Sequence, residues 1–212
     1  MSLEIRKYKE SDFDSVHRFI TNTWYADATK EDPAVAHAFV TVDVNSHLHN
    51  SSFGLTAELD GEVVGVFFGF VVDHPKEMRL FERDIVPELQ KFFETDTELS
   101  ENLIKSINEE HQANDQLNEN LKDPYQGQIQ LFIVDSSKRG QNVGGTLWNA
   151  GQKIFEEAGV ERFILHTDTD CDYGYYDAKG LDSLDPVVIT DDEGNESIDY
   201  MLYHGEVEKE DE

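Results

Sequence analysis

At 212 residues the chain is long enough to bury one substantial core, and no Pro-, Gly- or Ser-rich linker divides it. It carries 45 acidic against 17 basic residues, a formal net charge of -28, which makes nucleic acid and anionic membranes poor partners. The longest apolar stretch, Val63 to Val72, covers about ten residues, roughly half a bilayer span, while the lone Cys171 excludes an internal disulfide framework and Met1-Ser2-Leu3-Glu4 lacks a signal pattern, so the expectation is a soluble, cytoplasmic protein.

Leu3 to Tyr8 alternates like a first strand. Ser11-Asp12-Phe13-Asp14 is a helix-capping pattern leading into Phe13, Val16, Ile20 and Trp24 at helical spacing. Pro33 suits the first position of a second helix running toward Leu48. Phe53 to Val66 reads as two strands joined at Asp60-Gly61. Residues 74–125 form an insert, in which Ile85, Leu89, Phe92 and Phe93, then Leu99, Leu103, Ile104 and Ile107, predict two helices. Two further strands, around Val187–Thr190 and Ser197–Tyr203, flank Asp191 to Asn195 as a closing hairpin. The order predicts one domain over 1–205, α/β (α+β) in class, with helices packed on a mixed sheet, followed by an acidic tail at 206–212.

Between these elements lies the chemistry. The apolar run Ile129 to Val134 stops at Asp135-Ser136-Ser137 and passes through Lys138-Arg139-Gly140-Gln141-Asn142-Val143-Gly144-Gly145 into an amphipathic segment, Thr146 to Ala158. Strand, glycine-bearing turn, then helix exposes a row of backbone N–H groups at a helix N-terminus, a nest suited to a diphosphate. Side chains at the glycine positions would hold phosphates away, and Arg139 can add a charge-assisted contact. Gly140 is not followed by the Gly-Lys-Ser/Thr of a P-loop, and Gly140-Gln141-Asn142 lacks the second glycine of the dinucleotide fingerprint.

Arg139 to Gly144 does match Gln/Arg-x-x-Gly-x-Gly/Ala, with Asn142 where the first glycine is usual, and here the chain resembles the GNAT superfamily of acyl-CoA-dependent N-acyltransferases. Downstream, Arg162 to His166 and then Tyr175-Tyr176-Asp177-Ala178-Lys179-Gly180-Leu181 resemble that family's fifth strand and the tyrosine segment after it. The resemblance implies a mixed, mostly antiparallel sheet of about seven strands, with the fourth and fifth splayed apart. It implies acetyl-CoA as co-substrate, its pantetheine against the backbone near Phe132, Ile133 and Val134 and its pyrophosphate on Arg139, Gly140, Gln141, Asn142, Val143, Gly144 and Gly145. Asp172 stands where the family often has a cofactor-contacting Asn, and Tyr176 aligns with the tyrosine that protonates the leaving thiolate. The activity so implied is transfer of acetyl to the primary amine of a small molecule by direct attack in a ternary complex. A CoA-binding module without transfer activity and a protein N-acetyltransferase are the alternatives, and homodimers are frequent among similar proteins.

Several assignments stay open on the letters. Tyr173 and Tyr175 are near enough to Tyr176 to exchange roles with it, and Glu58, Asp135, His166 or Asp168 could serve as general base through water. The acidity reads either as solubility or as attraction for a cationic amine. Trp24 and Tyr25 read as packing or as a substrate wall. No metal is expected. Asp168-Thr169-Asp170-Cys171-Asp172 begins like a calcium loop but has Tyr173 at its sixth position and Lys179 at its twelfth. Two histidines two apart, His47 and His49, do not share a helix face, and Cys171 with His166 lacks an orienting third group.

Overall fold

The computed structural model describes residues 2–72, 90, 97–138, 140–190 and 196–207. Strand β1 (Leu3–Lys7) leads through a 3-10 turn into helix α1 (Phe13–Trp24). Asp12 does not cap that helix. Buried Asp12 instead takes Nη1 and Nη2 of Arg6 at 2.7 and 2.9 Å, the Thr56 hydroxyl at 2.9 Å and the Lys9 N–H at 3.0 Å, so stronger charge-assisted partners claim its oxygens. Short helix α2 (Ala26–Glu31), absent from the sequence reading, precedes α3 (Pro33–His49). Asp32 caps α3 by accepting the Ala34 and Val35 N–H groups at 2.9 and 3.1 Å, and Pro33 fills its first turn as expected.

Strands β2 (Phe53–Leu59) and β3 (Glu62–Val71) form the predicted hairpin, with Asp60 and Gly61 at φ 51° and 87° as a two-residue turn with both centres left-handed requires. Of the two helices predicted in the insert, the second is α4 (Glu98–Asn120), started by a reciprocal cap between Thr97 and Ser100; the first, over residues 82–96, lies outside the described residues apart from Gln90. There follow β4 (Gly127–Val134), α5 (Val143–Glu157), β5 (Arg162–Asp168), α6 (Gly174–Ala178), β6 (Asp182–Ser183), β7 (Val187–Thr190) and β8 (Glu196–Glu206).

Among the described residues eight strands make one sheet in the order β1-β2-β3-β4-β5-β8-β6, with β7 also on β8, and only β4 with β5 is parallel. The count is one above the expected seven or so because the two-residue β6 pairs with Tyr203 and His204 beside β7. Alternation along the strands builds two cores. Phe67, Ile129, Phe163 and Leu165 face α5, where Leu147, Trp148 and Phe155 cover them. The opposite face packs Val66, Phe68, Leu131 and Ile133 on α1 and α3, and Ile164, Tyr200 and Leu202 on α4. Helix α5 approaches β3 closely through Gly151, where a Cβ would fall 2.6 to 2.7 Å from the Phe67 ring. Any larger residue there would force the fully buried Phe67 aside, losing roughly 2 to 3 kcal/mol of its burial.

Candidate active site

The parallel pairing of β4 with β5 spans only Gly127–Ile129 against Phe163–Leu165. Beyond it β4 runs five further residues and β5 three, and the strands part. Gln130 marks the divergence, because β3 pairs Gly69 with Ile129 and Phe68 with Leu131, leaving Gln130 as the extra residue of a bulge. Past the bulge the pleat decides which backbone groups are spoken for. The N–H of Asp135 donates to Val64 at 2.8 Å, so Ile133 and Leu131 also turn their amides to β3, whereas Phe132 and Val134 turn theirs into the gap. Of the three β4 residues predicted to meet a cofactor, two therefore present their backbone to the opening, and Ile133 instead bonds to β3 and packs its side chain on the α3 face.

At the open end of the gap a 3-10 turn, Ser136–Lys138, leads to α5. The Asp135 carboxylate accepts the Ser137 N–H at 2.9 Å, and Lys138 pairs with Glu62 at 2.9 Å. Gly140 lies at φ +79°, open to space on its Cβ side, and Asn142 at φ 58°, ψ 20°. Asn142 is thus in the left-handed conformation that glycine fills most easily and that asparagine tolerates best among the rest. It starts α5 without capping it: the Asn142 side chain accepts no bond from the helix, and the N–H groups of Val143, Gly144 and Gly145 precede the first internal bond, Thr146 N–H to the Asn142 carbonyl at 3.1 Å. Gln141 is exposed beside them, and Arg139 lies outside the described residues.

Gly144 ties this turn to the gap. A Cβ there would stand 3.8 to 4.0 Å from Phe132, Val134 and Tyr175. The Tyr175 ring packs 5.4 Å from Phe132 and 5.8 Å from Trp148, and its hydroxyl is buried with no hydrogen-bond partner among the described residues. Burial pushes that phenol up to about 12. Tyr176 packs on Tyr203 at 5.4 Å and Trp148 at 6.1 Å, and burial, with Cys171, Asp172 and Asp168 nearby, pushes its phenol well above the usual range. Both phenols are held protonated, as hydrogen-bond donors. Tyr173 is an exposed residue outside this stack, and exposed Asp172 opens α6 by accepting the Tyr175 N–H on its carbonyl at 3.1 Å. Bare amides at the α5 start, free backbone groups on β4 and an orphan buried hydroxyl between them fit an extended diphosphate-bearing cofactor such as acetyl-CoA.

The opposite face of the sheet is different in kind. Over the paired start of the β4–β5 seam an open depression of about 510 Å³ lies between α3, α4 and the sheet. Its floor is Phe70, Gln128, Gln130 and His166, and α4 contributes Asn114, Asp115 and Asn118 to its wall.

No family model matches the sequence, and no curated protein does. Among solved structures the chain is similar to an HPA2-related acetyltransferase from Corynebacterium glutamicum (17% identity, 96% of each chain covered, TM-score 0.58). It is similar too to arylalkylamine N-acetyltransferase 2 from Aedes aegypti (14% identity, 98% of this chain and 100% of that one, TM-score 0.60) and to an acetyltransferase of the GNAT family from Staphylococcus aureus (12% identity, 98% and 100%, TM-score 0.54). The fold is the GNAT fold.

Within that GNAT fold the four sequence candidates for a base separate. Glu58 is held by Arg6 at 2.8 Å on β2, remote from the gap. Asp135 is held below the usual carboxylate range by its bonds to Ser137, which leaves it a weak base. His166 sits in the depression, but Nε2 bonds Asn118 Oδ1 at 3.0 Å and Nδ1 bonds Gln128 Nε2 at 3.4 Å, and burial lowers it to about 4. Asp168, at the end of β5, is raised by burial and stands within electrostatic reach of Tyr176. Cys171 is pushed up to about 12 by burial and then Asp168, so it is no thiolate nucleophile.

Sequence reasoning missed a cluster beside the gap. Asp43 accepts the Tyr25 hydroxyl at 3.3 Å and pairs with His47 Nε2 at 3.3 Å, and the His47 ring also bonds the backbone of the bulge residue Gln130. Burial would lower His47, but its bond to Asp43 and the charges of Asp43 and Glu110 outweigh that and raise it. The i, i+4 spacing of Asp43 and His47 on α3 was the available signal. His37 meanwhile stacks on His17 with centroids 4.6 Å apart and His49 lines the depression, so the three α3 histidines serve different places. Tyr25 is buried and Trp24 half-buried against the α1–α3 core.

Proposed function

We propose that the protein is an acetyl-CoA-dependent N-acetyltransferase acting on the primary amine of a small molecule by direct attack in a ternary complex. The observation that carries the reading is the coincidence, at one gap, of parted strands with free backbone groups on β4 and an uncapped, glycine-lined helix start. The N–H groups of Val143 to Gly145 would hold the pyrophosphate, and those of Phe132 and Val134 the amides of the pantetheine arm. Acetyl-CoA would supply the activated thioester.

The protein's own contribution is position and protons. The ammonium form of the acceptor gives up two protons, its nitrogen bonds the carbonyl carbon, and the carbon–sulfur bond breaks. One proton ends on the departing sulfur, the other leaves with solvent. Tyr176 is the proposed donor to sulfur, because a phenol kept protonated by burial can give a hydrogen bond as thiolate charge develops. Asp168, raised by burial, is the proposed water-mediated acceptor from the amine. Neighbours sharing the fold bear names as different as arylalkylamine and ribosomal-protein-S18-alanine N-acetyltransferase, the latter from Escherichia coli at 10% identity, 100% and 97% coverage and TM-score 0.54.

Isothermal titration with acetyl-CoA tests the core of the proposal. Saturable 1:1 binding that Gly144→Glu weakens at least about tenfold, by placing a carboxylate on the anion site, is expected. Absence of binding by the wild-type protein would refute it.

A further inference from the structure

A phenol that gives its proton to one sulfur atom has to be held at that atom, because a misplacement of about 1 Å can cost on the order of a hundredfold in rate. Tyr176 gets little of that hold from its own segment. Helix α6 has 5 residues, against the roughly 12 to 15 at which an isolated helix begins to persist, and the turn after it passes through Gly180 at φ +73°. The Tyr176 hydroxyl makes no hydrogen bond among the described residues. Its ring is therefore fixed by packing, and of the three rings against it Tyr203 is nearest, at 5.4 Å, with Tyr175 at 5.9 Å and Trp148 at 6.1 Å.

Tyr203 has the anchorage that α6 lacks. It lies in β8, paired with Leu165 of β5 on one side and Ser183 of β6 on the other, and only 2% of it is exposed. Its hydroxyl donates to Asp177 Oδ1 at 2.7 Å, and Asp177 is the residue that follows Tyr176. The contacts form a closed circuit: from the Tyr176 ring to the Tyr203 ring, through the Tyr203 hydroxyl to the Asp177 carboxylate, and along one peptide back to Tyr176. A carboxylate acceptor makes such a bond stronger than a neutral one would. Burial, and then the bond to Asp177, push the Tyr203 phenol up to about 12, so the donor keeps its proton. Leu181 adds a second tie just past α6: a Cβ on Gly205 would fall 2.6 Å from the Leu181 side chain, which thus rests on bare β8 backbone.

Resting on the acetyltransferase reading with Tyr176 as proton donor, we propose that Tyr203 and Asp177 are positioning residues, whose bond latches α6 to β8 and aims the Tyr176 hydroxyl at the thioester sulfur. Neither touches the reacting atoms. Tyr175 turns to the other side of α6, toward Phe132 and Gly144, so the cofactor face of this helix does not depend on the latch. The latch acts on the chemical step and leaves acetyl-CoA binding alone.

Thiol release from acetyl-CoA with tyramine, spermidine and glucosamine as acceptors, beside titration of acetyl-CoA alone, tests the latch. Tyr203→Phe keeps the ring and removes the hydroxyl, while Asp177→Ala removes the acceptor at an exposed position, where the core is not disturbed. Each is expected to lower kcat about tenfold with the acetyl-CoA Kd unchanged, and Asp177→Asn, whose amide oxygen can still accept, to stay within about threefold of wild type. Added to Tyr176→Phe, Tyr203→Phe should cost nothing more, because the group it aims is gone. A further loss of about tenfold in that background, or wild-type kcat in both single variants, overturns the inference. Independently of any acceptor, the Tyr176 ring signal in NMR of tyrosine-labelled protein, assigned from Tyr176→Phe, should shift when acetyl-CoA binds, and that shift should shrink in Tyr203→Phe and in Asp177→Ala. An undiminished shift in both overturns the inference as well. Failure of acetyl-CoA to bind the wild-type protein strikes instead at the activity on which the inference rests.

Discussion

The two faces of the β4–β5 seam are built on opposite principles. On the α5 face the free polar groups belong to the main chain: amides of Val143 to Gly145 at a helix start and of Phe132 and Val134 on the side of β4 that has parted from β5, backed by an aromatic stack of Phe132, Trp148, Tyr175 and Tyr176. On the α4 face the polar groups belong to side chains, amides and imidazoles drawn from four elements. Main-chain groups keep their geometry whatever side chains stand around them, whereas side-chain groups change with each substitution.

The sharpest way to break this contrast is at the tyrosines. Tyr176→Phe is expected to lower kcat roughly a hundredfold with acetyl-CoA affinity intact, the size usual for loss of a general acid. Tyr175→Phe should act the other way, leaving kcat near wild type and weakening acetyl-CoA several-fold through its orphan hydroxyl. Reversed phenotypes in stopped-assay kinetics would exchange their roles.

A smaller effect concerns the α4 face and pH. His166 is lowered to about 4 from an ordinary value near 6.5, so the fold favours its neutral form. That contribution is complete above about pH 6.5 and is lost as pH falls toward 4, on the order of 3 kcal/mol in all. Thermal unfolding followed across this window should show wild type losing stability more steeply than His166→Gln, and parallel slopes would contradict a buried neutral imidazole.

The smallest effect belongs to the turn. Asn142→Gly relieves a left-handed non-glycine residue and should shift stability by less than about 1 kcal/mol without weakening acetyl-CoA. A large loss of affinity on titration would instead make the asparagine side chain a ligand contact.

The same contrast explains what could be read from the letters. The hairpin at Asp60-Gly61, Pro33 opening α3 and the glycine-bearing turn into α5 are local, each encoded in a few adjacent residues whose backbone demands are specific. The bulge at Gln130 was not legible, since its existence depends on how β3 pairs across from it. Nor was the cluster of Tyr25, Asp43, His47 and Glu110, whose members come from the junction after α1, from α3 and from α4 and meet only when these pack on one face. Asp12 shows the local rule being overruled: its sequence says cap, but Arg6 and Thr56, brought in by β1 and β2, bind it first.

The short seam between β4 and β5 has a mechanical side. Among the described residues three paired positions and the Gln126 N–H to Arg162 carbonyl bond just before them, at 2.9 Å, join β1–β4 to β5–β8 within the sheet, and the halves are otherwise clamped by α5 on one face and by α4 on the other. A seam this short concentrates any relative displacement of the two half-sheets on a few backbone bonds, because every other ladder lies within one half. Amide exchange should find its cooperative boundary along this seam, with each half-sheet opening as its own unit.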